Sequence, residues 1–239
     1  MATSLENGLV LGLLGTGKIG SAVMSGYCTP VADKSTWVPR HIYVSPRGAD
    51  KAKALHARFP NHVTIAPTNQ AVIDHSNIIF IGLLPDVARQ ELPLLNFPQN
   101  VTIVSMMATI PYQELLDLLR LPRSQVVRTI PLPSSSRRTG PILAYPPHPF
   151  VRELLQQIGT PVMVNEEKEV TTLVGPNYFV DSAHVVGVVD WHDGDDQFLL
   201  RHLRHAAKMV CPERRRGASV ARLRVFFFSI ARGCRHDFA

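Results

Sequence analysis

Residues 9–20 read Leu9-Val10-Leu11-Gly12-Leu13-Leu14-Gly15-Thr16-Gly17-Lys18-Ile19-Gly20, an apolar run that closes on three spaced glycines. A Gly-x-Gly-x-x-Gly string alone is a weak signal, because glycine is common in turns. Here it follows a run suited to a buried strand and opens a helical pattern over residues 18–27, with Ile19, Ala22 and Val23 on its inner face. In that context each glycine has a task. Gly15 permits a tight turn, Gly17 leaves room for a pyrophosphate to approach the backbone, and Gly20 lets the helix lie close to the strand. The helix start then offers unpaired N–H groups and partial positive charge to an anion. The segment predicts a dinucleotide-binding strand, turn and helix; the competing reading is a tight turn that binds nothing.

Outward from this turn, apolar runs alternate with helical patterns. Strands are expected at residues 41–44, 63–66, 77–83, 101–105, 125–130, 141–145 and 162–164, and helices at 49–58, 69–75, 112–119, 150–158 and 166–174. That alternation is the pattern of a parallel sheet covered by helices. The expected fold class is α/β, a Rossmann-type doubly wound parallel sheet followed by a small, mostly helical C-terminal domain. Pro85 reads as the stop of the fourth strand. Periodicity fades after Tyr178, where Arg214-Arg215-Arg216 and an isolated apolar run at 225–230 follow. The expected division is 1–165 for the cofactor-binding domain and 166–239 for the C-terminal one.

The end of the second strand bears on which dinucleotide is bound. An NAD site usually has a carboxylate there to hold the ribose hydroxyls. This chain has Ser45-Pro46-Arg47 instead, with Lys51 a turn later. A hydroxyl and a guanidinium suit a 2′-phosphate, which a carboxylate repels. NADP (as NADPH) is therefore the expected cofactor, against the plainer reading of a solvated polar loop.

Of the 239 residues 45% are hydrophobic and 18% charged, the balance of a globular protein with a real core. No apolar run reaches the ~18 residues of a membrane span, so no membrane association is expected. The N-terminus carries Glu6 and lacks the basic start of a signal peptide. Cys28, Cys211 and Cys234 are odd in number and lack metal-ligand spacing, which suits free thiols in a cytoplasmic setting. His184, His192, His202 and His205 have no metal-like set of partners, so no metal is expected. The formal charge of +6 divides into +8 over residues 201–239 and −2 over the rest. A near-neutral body of this kind does not track nucleic acid.

Several ordered segments together carry a more specific signal. LGLLGTGKIGSAVMSG at 11–26, VSPR at 44–47 with KAKALHARF at 51–59, PTNQAVIDHSNIIFIGLLP at 67–85, SMMATI at 105–110 and VVRTIPLP at 126–133 resemble the pyrroline-5-carboxylate reductase family. The resemblance spans about residues 8–176. It implies that Thr16, Lys18 and Ile19, with Gly15, Gly17 and Gly20, contact the cofactor diphosphate. It puts Ser45 and Arg47 by the adenosine ribose and its phosphate, and Asn69 against the cofactor. Leu83, Leu84 and Pro85 then form the loop on the nicotinamide side, with Met107 and Ala108 in the facing loop. The implied reaction is hydride transfer to the C=N carbon of a small cyclic imino acid, most simply pyrroline-5-carboxylate to proline. The cofactor carries that chemistry and a protonated imine is already electrophilic, so no general base is required and no catalytic residue is assigned. The implied partners are the imino-acid substrate and a second copy of the chain, since family dimers form through the C-terminal domain.

The chain departs from the family at identifiable points. Leu84 stands where the family has a lysine, and Leu132-Pro133-Ser134 where it has Asn-Thr-Pro. Residues 170–178 resemble a shortened start of the C-terminal domain, and the stretch that grips the imino acid is not found after them. Two accounts of the last segment are open: a divergent domain, or a reading frame shifted near codons 175–185, which sequencing of the transcript there distinguishes. Three functions follow. The chain is a reductase of the family, an NADP-binding member of weak or no activity that serves as sensor or scaffold, or a reductase or dehydrogenase for another imine or hydroxy acid.

Overall fold

In the computed structural model, which describes residues 8–29, 37–174, 178–181 and 184–187, the opening apolar run is β1, Val10–Leu14, and the helix after the glycine turn is α1, Lys18–Cys28. β2 (His41–Val44), α2 (Ala49–Arg58), β3 (Val63–Ile65), α3 (Asn69–Asp74) and β4 (Ile78–Ile81) complete the first half. α4 (Pro85–Glu91), β5 (Thr102–Ser105), α5 (Tyr112–Leu119), β6 (Val126–Ile130), β7 (Pro141–Tyr145), α6 (Pro149–Gln156), β8 (Thr160–Met163) and α7 (Glu167–Val174) follow. Eight strands form one sheet in the order β3-β2-β1-β4-β5-β6-β7-β8. The order reverses at β1, whose Leu11 pairs with Ile42 on one side and Ile78 on the other. Such a reversal point is where an open α/β sheet binds its ligand.

The first six strands are parallel, as the alternating pattern predicts. β7 is not: it lies antiparallel to β6, with Arg128 opposite Tyr145, and parallel to β8. The last two strands therefore run against the first six. The cause lies in the connection, since a parallel return requires a crossover of a dozen or more residues. Between β6 and β7 the chain has only a 3-10 turn at Pro133–Arg137, followed by left-handed residues Arg138 (φ 57°) and Gly140 (φ 88°). A second difference is local. Pro85 does not merely stop β4 but opens α4 at its first position, where its missing N–H and fixed φ cost nothing.

Side chains alternate across the pleat and build two cores. Leu11, Leu13, Ile78, Phe80, Val104 and Val127 face α1, α2 and α6, which contribute Val23, Tyr27, Leu55, Val151 and Leu154. Ile79, Ile81, Ile103 and Val126 face α3, α4 and α5, which contribute Val72, Ile73, Ala88, Leu115 and Leu119. Full burial of each such aliphatic side chain contributes about 1.5–3 kcal/mol. The sheet is thus covered on both faces, which explains why its central strands read as continuous apolar runs.

By contact, residues 1–170 and 171–239 form two compact units. In the second unit β9 (Tyr178–Asp181) pairs antiparallel with β10 (His184–Gly187), in the stretch where the sequence shows no clear periodicity. The basic tail, the apolar run at 225–230, Cys211, Cys234, His192, His202 and His205 lie outside the described residues. Among the described residues no helix is long and apolar enough to cross a membrane. No group of three or more His, Cys, Asp or Glu among them is placed to hold a metal ion.

Candidate cofactor-binding site

The glycine turn separates into positions that hold the fold and one that leaves space. Gly15 has φ +93°, and a Cβ there would lie 2.6 Å from the carbonyl oxygen of Gly82, at the end of β4. Gly20 is equally closed: its Cβ would meet the Gly15 carbonyl at 2.9 Å and Leu13 at 3.0 Å. Gly17 differs. It caps α1 with ordinary extended geometry, and the nearest atom to an added Cβ is 4.0 Å away. Among the described residues nothing requires a glycine at 17, and the space above it lies at a helix start whose N–H groups seek an anion. No acidic side chain occupies the first turn of α1.

Ser45 fixes this turn from the next strand. It is fully buried, its hydroxyl accepts from the Gly15 N–H at 2.9 Å, and its carbonyl accepts from the Thr16 hydroxyl at 3.4 Å. Thr16 is buried too, while Lys18 is exposed and Ile19 half-buried. Ser45 thus acts on the loop's shape from inside. Arg47, two residues on, is exposed, and its Nη1 lies 3.3 Å from Glu91 Oε1. Asn69, the first residue of α3, donates from Nδ2 to Glu91 Oε2 at 3.4 Å, and its Oδ1 is buried with no partner among the described residues. Glu91, at the end of α4, therefore joins Arg47 and Asn69. Sequence reasoning missed it, because its neighbours in the chain carry no motif.

The loops after β4 and β5 complete the row. Leu83 is buried, whereas Leu84 is 74% exposed and Pro85 half-buried. In the facing loop Met107 is buried in the core on the α3–α5 side. It is Met106 whose Cε lies 3.2 Å from where a Gly82 Cβ would be, so Met106 and not Met107 approaches the β1–β4 junction. Ala108 offers its carbonyl to Nη2 of Arg128, a buried β6 residue whose Nη1 pairs with Glu167 Oε1 at 2.6 Å. Burial pulls the Arg128 guanidinium pKa below its ordinary value, and Glu167 opposes that pull. The same Glu167 oxygen accepts from the Tyr112 N–H at 2.6 Å at the start of α5. Arg128 lies inside the 126–133 segment that carries the resemblance, but the sequence assigns it no role.

Other reactive groups point away from catalysis. Burial pushes the Cys28 thiol up to about 11, which keeps it protonated. Tyr112, pushed to about 12 by burial, donates its hydroxyl within reach of the Val126 and Arg123 carbonyls and serves packing. The row of loops at the carboxyl ends of β1, β2, β4 and β5 thus offers anion-binding backbone and two exposed cations, Lys18 and Arg47.

This arrangement defines the class: a Rossmann-type dinucleotide-binding domain. Residues 10–109 match the family model described as NADP oxidoreductase, coenzyme F420-dependent. Among solved structures the chain is similar to the 1-pyrroline-5-carboxylate reductase of Streptococcus pyogenes, with 20% identity and a TM-score of 0.57 over 71% of this chain and 62% of that one. It is similar to the pyrroline-5-carboxylate reductase of Coxiella burnetii, at 15% identity and TM-score 0.57 over 70% and 63% of the two chains. The pyrroline carboxylate reductase of Plasmodium falciparum, a structure with NADP bound, gives 15% and 0.54 over 70% and 62%. At these identities the likeness is one of fold, and the chain spans under two thirds of the length of those reductases. No curated protein matches the chain.

Proposed function

We propose that the chain binds NADP(H) along the glycine turn and acts as a reductase of a C=N bond in a small cyclic imino acid, pyrroline-5-carboxylate first among them. The observation that carries the cofactor half is Gly17: an open helix N-terminus flanked by two glycines that packing alone demands. The residues fit a dinucleotide. The backbone around Thr16, Lys18 and Ile19 is offered to the diphosphate, and Arg47 to a 2′-phosphate. Leu83, Leu84, Pro85 and the 106–108 loop flank the nicotinamide end. When bound, the cofactor supplies the hydride; the chain's own residues position it and exclude water. Exposed Leu84 offers an apolar surface where the resembled family has a cation. We assign no catalytic side chain.

The division into a cofactor-binding domain at 1–165 and a C-terminal domain at 166–239 that pairs subunits belongs to the same proposal, as does a cytoplasmic setting. The direct test mixes the protein with NADPH and pyrroline-5-carboxylate and follows loss of cofactor absorbance, beside a fluorescence titration with NADPH alone. Turnover supports the reductase. Saturable binding without turnover rejects it and leaves an NADP-binding sensor or scaffold.

A further prediction separates the two dinucleotides. Arg47→Glu is expected to weaken NADPH by roughly tenfold or more, since it replaces an attraction to the 2′-phosphate with a repulsion. NADH, which lacks that phosphate, is expected to change by less than about twofold. Equal losses in the two titrations remove Arg47 from the phosphate site.

A further inference from the structure

We propose that Glu91 sets the cofactor preference at the adenosine end, by occupying as a built-in anion the donors that a 2′-phosphate requires. This rests on the NADP reading above. The carboxylate spends one oxygen on each of two donors from separate elements: Oε1 on Arg47 Nη1 at 3.3 Å, beyond β2, and Oε2 on Asn69 Nδ2 at 3.4 Å, opening α3. Both donors lie at the carboxyl edge of the sheet, on the β2 side of the glycine turn. The orientation of Asn69 is fixed, because flipping the amide would set Oδ1 against the Glu91 oxygen. Glu91 gains nothing from its own helix, since an acid in the last turn faces the negative end of the helix dipole. Among the described residues, the hydrogen bonds of its carboxylate go to Arg47 and Asn69.

A carboxylate in that place acts differently on the two dinucleotides. A 2′-phosphate carries more charge and more acceptor oxygens than Glu91, so it takes Arg47 from the ion pair, but it must do so beside a like charge that has lost its partner. NADH brings a ribose hydroxyl instead, which has no charge to draw Arg47 away and leaves the ion pair intact. Glu91 therefore holds down the affinity for NADPH and leaves that for NADH untouched. The ion pair is a half-exposed one, with side-chain exposures of 56% for Arg47 and 38% for Glu91, so water and salt moderate the effect.

Glu91→Gln tests this, because the amide removes the charge and keeps an oxygen for Arg47 or Asn69. The probes are NADPH, NADH and the two half-ligands adenosine 2′,5′-bisphosphate and adenosine 5′-phosphate, titrated calorimetrically against wild type, E91Q and R47E. The expected result is that E91Q tightens NADPH and the bisphosphate by roughly three- to tenfold at low salt, with NADH and the monophosphate within about twofold. The gain should shrink as salt is raised. Unchanged or weaker NADPH binding by E91Q overturns the proposal, as does an equal gain for both classes. If R47E loses NADPH while E91Q is neutral, the cofactor reading stands and Glu91 is a surface ion pair. If the wild-type protein binds none of the four probes, the cofactor reading itself fails and takes this proposal with it.

Discussion

Gly17→Ala is expected to fold as the wild type does and to lose NADPH affinity by at least roughly tenfold. The backbone at Gly17 (φ −82°, ψ −175°) is open to any residue, and among the described residues an added methyl meets nothing nearer than the Gly82 carbonyl oxygen at 4.0 Å. The stability change is confined to the helix start, where alanine caps less well than glycine by about 1 kcal/mol or less. In a chain of this size that lowers the unfolding midpoint by about 2–4 °C. The methyl does fill the one open position over the helix N-terminus, where the diphosphate is proposed to lie. Gly15→Ala is the contrasting variant. It combines a positive φ with a backbone collision against Gly82, and neither backbone has a flexible end that can give way. That strain is expected to destabilise by about 2–4 kcal/mol. Thermal unfolding with a parallel NADPH titration reads both effects. If Gly17→Ala binds NADPH like the wild type, the diphosphate does not lie at this turn.

The contrast also shows what a single sequence makes legible. β1, β4 and the glycine turn are legible because burial on both faces demands unbroken apolar runs, as in Ile78–Ile81, and because the glycines stand between a strand and a helix. By contrast, β2 is legible by its alternation of half-buried His41 and Tyr43 with buried Ile42 and Val44. The reversal of β7 was not readable. It depends on a tight connection in which Arg138 takes a left-handed conformation and donates to the carbonyls of Gly26 and Tyr27 at the end of α1, more than a hundred residues earlier. Ser45 reads in the sequence as a polar residue at a strand end, and only the fold shows that its hydroxyl is turned inward onto Gly15. The resemblance puts Met107 in the loop that faces the cofactor, whereas alternation along the chain turns it into the core and Met106 toward Gly82. Glu91 carries no local signature, and Arg128 lies in the 126–133 segment without anything there that announces its partners. Their partners are 20 to 44 residues away, and the pairs exist only once α4 and β6 are in place.

Arg128→Met is expected to destabilise the chain by about 2–4 kcal/mol, near the range for breaking a buried ion pair by removing one partner. The value falls short of a fully buried pair because the Glu167 side chain is 32% exposed and can turn to water. Three elements meet at this guanidinium: β6 that carries it, the Ala108 carbonyl after β5, and Glu167 at the start of α7. Methionine fills most of the volume but returns neither hydrogen bond, so the Ala108 carbonyl loses its donor in a partly buried place. Glu167 keeps the Tyr112 N–H, which is why the start of α5 should hold while the loop at 106–110 loosens. Denaturant unfolding measures the loss, and amide exchange locates it. The double variant Arg128→Met/Glu167→Gln separates the pair from the packing, since removing both charges is expected to restore about 1–3 kcal/mol relative to the sum of the single changes. Strict additivity means that Arg128 acts through volume alone. The loop it anchors is the one proposed to face the nicotinamide, so loss of the anchor should weaken whole NADPH while sparing adenosine 2′,5′-bisphosphate, which reaches only the far end of the site. A variant that loses both ligands equally has lost the domain and not the loop.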